Sequence, residues 1–436
     1  MKKIILLFSF LFSCSFLFSQ PSSPLFVTSD IDNFWSAYDK IVATKDSATQ
    51  YHYINQLYID KGSVGLRYIM EARRYTAKSY IDAINNYPLF WKSIRTNTYQ
   101  AKSYAARIAT GVEKFRQLYP AMRPAAVYFT IGAFRSPGTT IDSAVLIGAE
   151  LAMADETIET SEFPAAMDYV KTYFATNPVK GIVFLNVHEF VHTQQKEHEY
   201  ILLYRSIYEG IAEFVAATAT GEVSSTPAIA YGNKNSKKVK EKFAAEMFSP
   251  FTLDNWLYNN TDNEFNTRDM GYYVGYTMAE KYYRQSANKQ QAIKEMIELD
   301  YANDKAVATY VNATGYFSTP LEKLKKAYES KRPVVAAIKE FKNGAADVSP
   351  ALTQITIQFS TRMDTRYRNF EIGPLGEANL LRLKRFISFA ADGTSVSFEI
   401  ELQPGRRYQL EVGAGFRTTS GISLRPYLID FTTASQ

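Results

Sequence analysis

The apolar residues of this chain change their spacing along its length, and that change limits the folds open to it. From about residue 28 to 120 they recur at helical intervals: Ser29-Asp30 can cap a helix start, and Ile31, Phe34, Trp35, Tyr38, Ile41 and Val42 then share a face. The stretches 68–80 and 99–118 repeat the pattern. Near Pro120 the spacing shortens. Residues 125–131 and 143–148 read as strands, parted by a loop at Gly132 and Ser136-Pro137-Gly138. Helical spacing resumes around Ala165 and holds to about residue 330, more loosely over 222–236. The stretch 344–350 reads as a linker. Beyond it, 355–359, 395–400 and 408–412 alternate as strands do, with turns at Asp392-Gly393, Pro404-Gly405 and Gly413-Ala414-Gly415. Short strands at such spacing predict a small β-sandwich. The expected fold class is therefore α+β, mostly helical with one small sheet in its middle part and a sandwich at its end.

With 436 residues the chain is long enough for two or three domains. Its first twenty residues stand apart. Lys2 and Lys3 precede an apolar run, Ile4 to Phe18, and small Ser19 precedes polar residues. That is the pattern of a secretory signal cut near Ser19, too short to span a membrane comfortably. The expected location is therefore periplasmic or secreted. Cys14 gives a faint lipoprotein box, but the apolar run continues past it, which favours cleavage downstream. Cut there, the mature chain has no cysteine, which excludes disulfides and a thiol nucleophile. Removal of the two lysines lowers the formal charge from +5 to +3, and the remaining charges are interspersed. No concentrated basic face points to nucleic acid, and no later apolar run could cross a bilayer.

One segment carries chemistry. Residues 181–198 contain His188-Glu189-Phe190-Val191-His192, preceded by an apolar run that feeds a helix. Residues four apart share a helix face, so His188 and His192 can present two imidazoles to one metal, with Glu189 placed to reach a water on it. Only four histidines occur in the chain, and two fall at this spacing. A nitrogen-rich set with an open position suits zinc.

Two residues compete for the third ligand. Glu209 lies in Ile207-Tyr208-Glu209-Gly210-Ile211-Ala212-Glu213-Phe214, a helical segment that Gly221 can end. Glu209 and Glu213 share a face, and Glu209 as ligand with Glu213 orienting a ligand imidazole explains two carboxylates on an apolar helix. His198 is the rival, because His188, His192 and His198 have metzincin spacing and Met270-Gly271-Tyr272 fits a Met-turn. That family turns sharply at a Gly, and this chain has Gln195 there, which favours Glu209.

The His-Glu-x-x-His segment followed by Glu209-Gly210-Ile211-Ala212-Glu213 resembles the gluzincins, the peptidase-MA-like zinc peptidases, over about 125–285. The phrase from Ile357 to Asp364 resembles the opening strand of bacterial immunoglobulin-like modules. Beside the signal peptide read at 1–19, the resemblance implies an N-terminal helical region at 20–120 packed on a zincin-like metallopeptidase domain at 121–343. An Ig-like sandwich at 350–436 follows. It also implies that Tyr272, three before Gly275, donates to the oxyanion, that strand 143–148 is the edge that holds extended substrate, and that Glu150 is placed to bind a substrate amine, although Gly-Ala-Glu-Leu lacks the full family pattern.

The expected function is that of an exported zinc-dependent metallopeptidase acting on a peptide or protein, with Glu189 and Tyr272 catalytic, His188, His192 and Glu209 on the metal, and Glu213 behind them. Two alternatives stand beside it: an inactive zincin-fold surface or binding protein, and a zinc hydrolase of a non-peptide substrate.

Overall fold

The computed structural model describes residues 25–196, 199–259 and 263–435. The expected leader with Cys14 lies outside the described residues, and so does His198.

The fold is α+β. Helix Ser29–Ile41 buries Ile31, Phe34, Trp35, Tyr38 and Ile41 on one face, as their spacing requires. Asp30 does not cap it. Its carboxylate instead accepts the backbone N–H of Ser63 at 2.9 Å and the Ser63 hydroxyl, tying this helix to the start of Val64–Arg73. The expected helical stretch at 68–80 is broken: Arg74 is left-handed at φ 51°, and a Thr76–Ser79 capping box starts Ala77–Asn86. Indole-to-hydroxyl pairing between buried Trp35 and Thr98, at 2.9 Å, satisfies the one polar atom of that large ring.

The first sheet contains β1 (Phe26–Val27), β2 (Ala126–Thr130), β3 (Gly138–Ile141) and β4 (Ala144–Gly148), in the order β1-β2-β4-β3. β1, β2 and β4 run parallel, and β3 returns antiparallel beside β4 through a tight turn with Asp142 at φ 51°. All five residues of β4 are buried, which matches its unbroken apolar run. The expectation that 143–148 forms the edge strand is therefore corrected: β4 is interior, and β3 is the edge strand beside it. One continuous apolar core joins the N-terminal helices, this sheet and the helices through Leu321.

A second core belongs to the C-terminal strands: β5 (Val335–Ile338), β6 (Gln354–Phe359), β7 (Phe370–Glu371), β8 (Leu383–Phe389), β9 (Ser395–Ile400), β10 (Arg407–Val412) and β11 (Tyr427–Thr432). They form sheets β5-β6-β9-β8 and β11-β10-β7, whose inner faces pack as a sandwich. The stretch 344–350 is not a free linker. Gly344 donates to the Asp430 carbonyl at 2.7 Å and Val348 bridges to Thr433, so the β unit begins at β5, before the expected 350 boundary. The Tyr328 and Ser423 hydroxyls, 3.1 Å apart, and Arg332 on the Leu424 carbonyl join the last helix to the sandwich. No helix among the described residues is long and apolar enough to cross a membrane.

Candidate metal centre

Helix Ile182–His192 carries the two histidines into the interior, and every residue from Asn186 to His192 is buried. Gly111 lets a neighbouring helix approach it closely, since a Cβ there would sit 2.7 Å from Val183. The four-residue spacing brings the imidazoles to face each other: the Nε2 atoms of His188 and His192 are 3.0 Å apart.

Glu209 comes from the next helix, Leu202–Thr220, which ends at Gly221 in the left-handed conformation, φ 74°. Its Oε2 lies 3.2 Å from His192 Nε2 and 3.5 Å from His188 Nε2. The ligating atoms of the three residues fall within 4.8 Å of one another, and all three are buried. Two imidazole nitrogens and a carboxylate oxygen converging on one point, away from water, form a donor set that suits a divalent cation.

The far side of each ring is also held. His188 Nδ1 is 2.8 Å from Glu213 Oε2, an ion-pair contact rather than an aligned hydrogen bond. Glu213 Oε1 accepts from the hydroxyls of Ser224 and Thr226. His192 Nδ1 is 2.7 Å from Gln195 Oε1, and the Gln195 amide donates to the Tyr208 carbonyl at 3.0 Å. These contacts leave both Nε2 atoms to the centre. The Tyr208 ring stacks on His192 at 4.3 Å between centroids.

Glu209 is adjacent to Gly210 for a steric reason. Helix Met270–Gln285 crosses there, and a Cβ on Gly210 would stand 2.1 Å from the Gly275 carbonyl carbon. The glycine pair lets the backbones touch and sets Tyr272 beside the cluster, its ring 6.1 Å from that of His188. Burial, followed by the charge of Glu209, pushes the Tyr272 phenol well above its ordinary range, so it remains a hydrogen-bond donor.

The charges are mutually dependent. Burial opposes the charge on His188, but contacts with Glu209 and Glu213 outweigh it and push its pKa up to about 10. Burial likewise opposes the charges on Glu209 and Glu213. The neighbouring imidazoles overcome it, helped at Glu209 by Arg205, and hold both below the usual carboxylate range. Glu189 goes the other way: burial raises it, and the two histidines only partly compensate. Its carboxylate lies under the edge strand, because a Cβ on Gly138 of β3 would sit 2.7 Å from Glu189 Oε1.

Glu150 does not have the substrate-facing role its position suggested. It is fully buried, with Oε2 accepting from Gly132 N–H at 2.7 Å and Oε1 from Phe134 N–H at 3.3 Å, so it fixes the loop that leads to β3. Contributors not singled out for the site from the sequence include Gln195, known only as a departure from Gly; Arg205, whose i,i+4 relation to Glu209 was a visible signal; Tyr208, which stacks on His192; Ser224 and Thr226 on Glu213; Tyr258, which reaches Glu209 from a loop; and Gly138.

No family model and no curated protein matches the chain. A solved structure that does align is the crystal structure of the S-layer protein rSbsC(31-844), at 14% identity over 66% of this chain and a TM-score of 0.19. The chain spans 39% of that protein's length, and a similarity of this size bears on neither fold nor function.

Proposed function

We propose that this chain is a zinc-dependent metallopeptidase of gluzincin type, exported by its N-terminal segment. The observation that carries the reading is the convergence of His188, His192 and Glu209 on one buried point, with Glu189 one residue along the same helix.

His188, His192 and Glu209 would hold a zinc ion, which would supply Lewis acidity and lower the pKa of water at the site. Gln195 and Glu213 orient the two imidazoles. Glu189 takes a proton from the attacking water onto its carboxylate and delivers it to the nitrogen of the leaving amine. Its burial raises its proton affinity, which favours that second transfer. Tyr272 donates its phenolic proton in a hydrogen bond to the oxygen that gains charge at the scissile carbonyl. Edge strand β3 offers backbone groups to an extended peptide next to Glu189.

The binding-protein alternative draws on the closure of the site, where His188, Glu189 and His192 are each less than 10% exposed. A panel of peptides and casein decides between the readings. Cleavage by the wild type that Glu189→Ala abolishes while retaining zinc supports a peptidase. Zinc binding with no hydrolysis of any peptide, in a chain of verified N-terminus, overturns it.

A further inference from the structure

Glu209 offers two oxygens, and they face different surroundings. Oε2 faces the two imidazoles. Oε1 faces away, 3.1 Å from Arg205 Nη2, and accepts a hydrogen bond from the Tyr258 hydroxyl. The triangle closes on its third side, where Arg205 Nε donates to the Tyr258 oxygen. Each member is fixed from elsewhere. Arg205 is one turn before Glu209 on the same helix, and its guanidinium lies between the rings of Tyr200, Tyr208 and Tyr258, 5.1–5.3 Å from each centroid. Tyr258 adopts φ 58°, a conformation rare for a large side chain, and its backbone N–H donates to Asp269 Oδ1 at 2.7 Å.

We infer that Arg205 and Tyr258 are positioning residues that hold Oε1 of Glu209 away from the metal, so that Glu209 binds through Oε2 alone. This rests on the metal reading above. A carboxylate with both oxygens free can bind an ion through one or two of them. Committing Oε1 to a guanidinium and a phenol removes the two-oxygen mode and leaves one coordination position open for water or substrate. The guanidinium also withdraws charge from the carboxylate, so the ion keeps more of its Lewis acidity. Losing the phenol frees Oε1 to swing toward the ion, which raises the coordination number. Losing the guanidinium as well completes that change.

Cobalt(II) in place of zinc reports coordination number through the intensity of its visible absorption, independently of catalysis. The full mature chain is loaded with cobalt(II), alongside Tyr258→Phe, which loses one oxygen, and Arg205→Met. The expected result is a strong four-coordinate band in the wild type, a severalfold weaker band in Tyr258→Phe, and zinc affinity about 10- to 100-fold lower in both variants. Arg205→Lys keeps the charge but not the fork, and recovers affinity without recovering the band. A Tyr258→Phe band unchanged from wild type overturns the proposal whatever the zinc affinity, and because that variant removes only the hydroxyl oxygen the result stands even if Arg205→Met does not fold. A wild type that takes up neither cobalt nor zinc overturns the metal reading itself, which is a different outcome.

Discussion

Gln195 Oε1 lies 2.7 Å from His192 Nδ1, and the other end of the same amide is tied to the Tyr208 carbonyl. The residue that departs from the metzincin pattern thus selects the tautomer of His192: with the amide oxygen toward the ring, Nδ1 carries the proton and Nε2 presents its lone pair to the cluster. Gln195→Leu should lower zinc affinity about 10- to 100-fold, read by competition with a chromogenic chelator. Gln195→Glu should recover it. Equal affinity in all three proteins would show that the contact orients nothing.

Gly138 is the point where the edge strand meets Glu189, the base of the proposed mechanism. A methyl group there would stand 2.7 Å from Glu189 Oε1, so the carboxylate must move. Gly138→Ala should keep one zinc per chain and lower kcat by roughly 100-fold, at the lower end of what a positioned base contributes. Unchanged turnover in the zinc-loaded variant would remove Glu189 from its assigned place.

The Gly210–Gly275 crossing leaves no space for a side chain on either helix, and the nearest atoms are backbone rather than flexible side chain. Gly210→Ala should therefore destabilise the protein by about 1–3 kcal/mol or more, despite the better helix propensity of Ala. Thermal unfolding checks this. A variant as stable as the wild type would mean that the two helices do not touch as described.

Glu150 gives stability a pH dependence with a definite sign. Burial raises its pKa from 4.5 to about 7, so the folded chain holds a proton that the unfolded chain releases. Its contribution is fully present below pH 4.5 and is lost as pH rises through about 7, by about 3 kcal/mol in all. Burial also raises Glu189, Asp30 and Asp269, which add the same sign. Denaturant unfolding between pH 4.5 and 8 should show a shallower fall for Glu150→Gln than for the wild type. Parallel curves would count against the shift.

The His188-Glu189-x-x-His192 helix was legible because its spacing and the apolar run around it are local properties. Glu209 and Glu213 were legible as a pair, since two carboxylates on an apolar helix face require buried partners, and both are buried. β3 was hidden: its four residues are half-buried, with no alternation, and follow directly on turn residues. β5 was hidden by its proximity to the preceding helix and by pairing with a strand across an intervening loop. Tyr258 reaches Glu209 from 49 residues away, and no periodic pattern marks it. The Gln195 amide has meaning only once Tyr208 is beside it. Sequence spacing thus revealed what each helix carries, and tertiary contacts supplied what holds each side chain of the cluster in place.

The most direct test of the account is the zinc K-edge X-ray absorption of the purified chain, with its zinc content. The account predicts one zinc per chain, bound by two imidazoles and a single carboxylate oxygen, with one further light atom. No bound zinc, or a shell of three imidazoles that brings His198 onto the metal in place of Glu209, would contradict it.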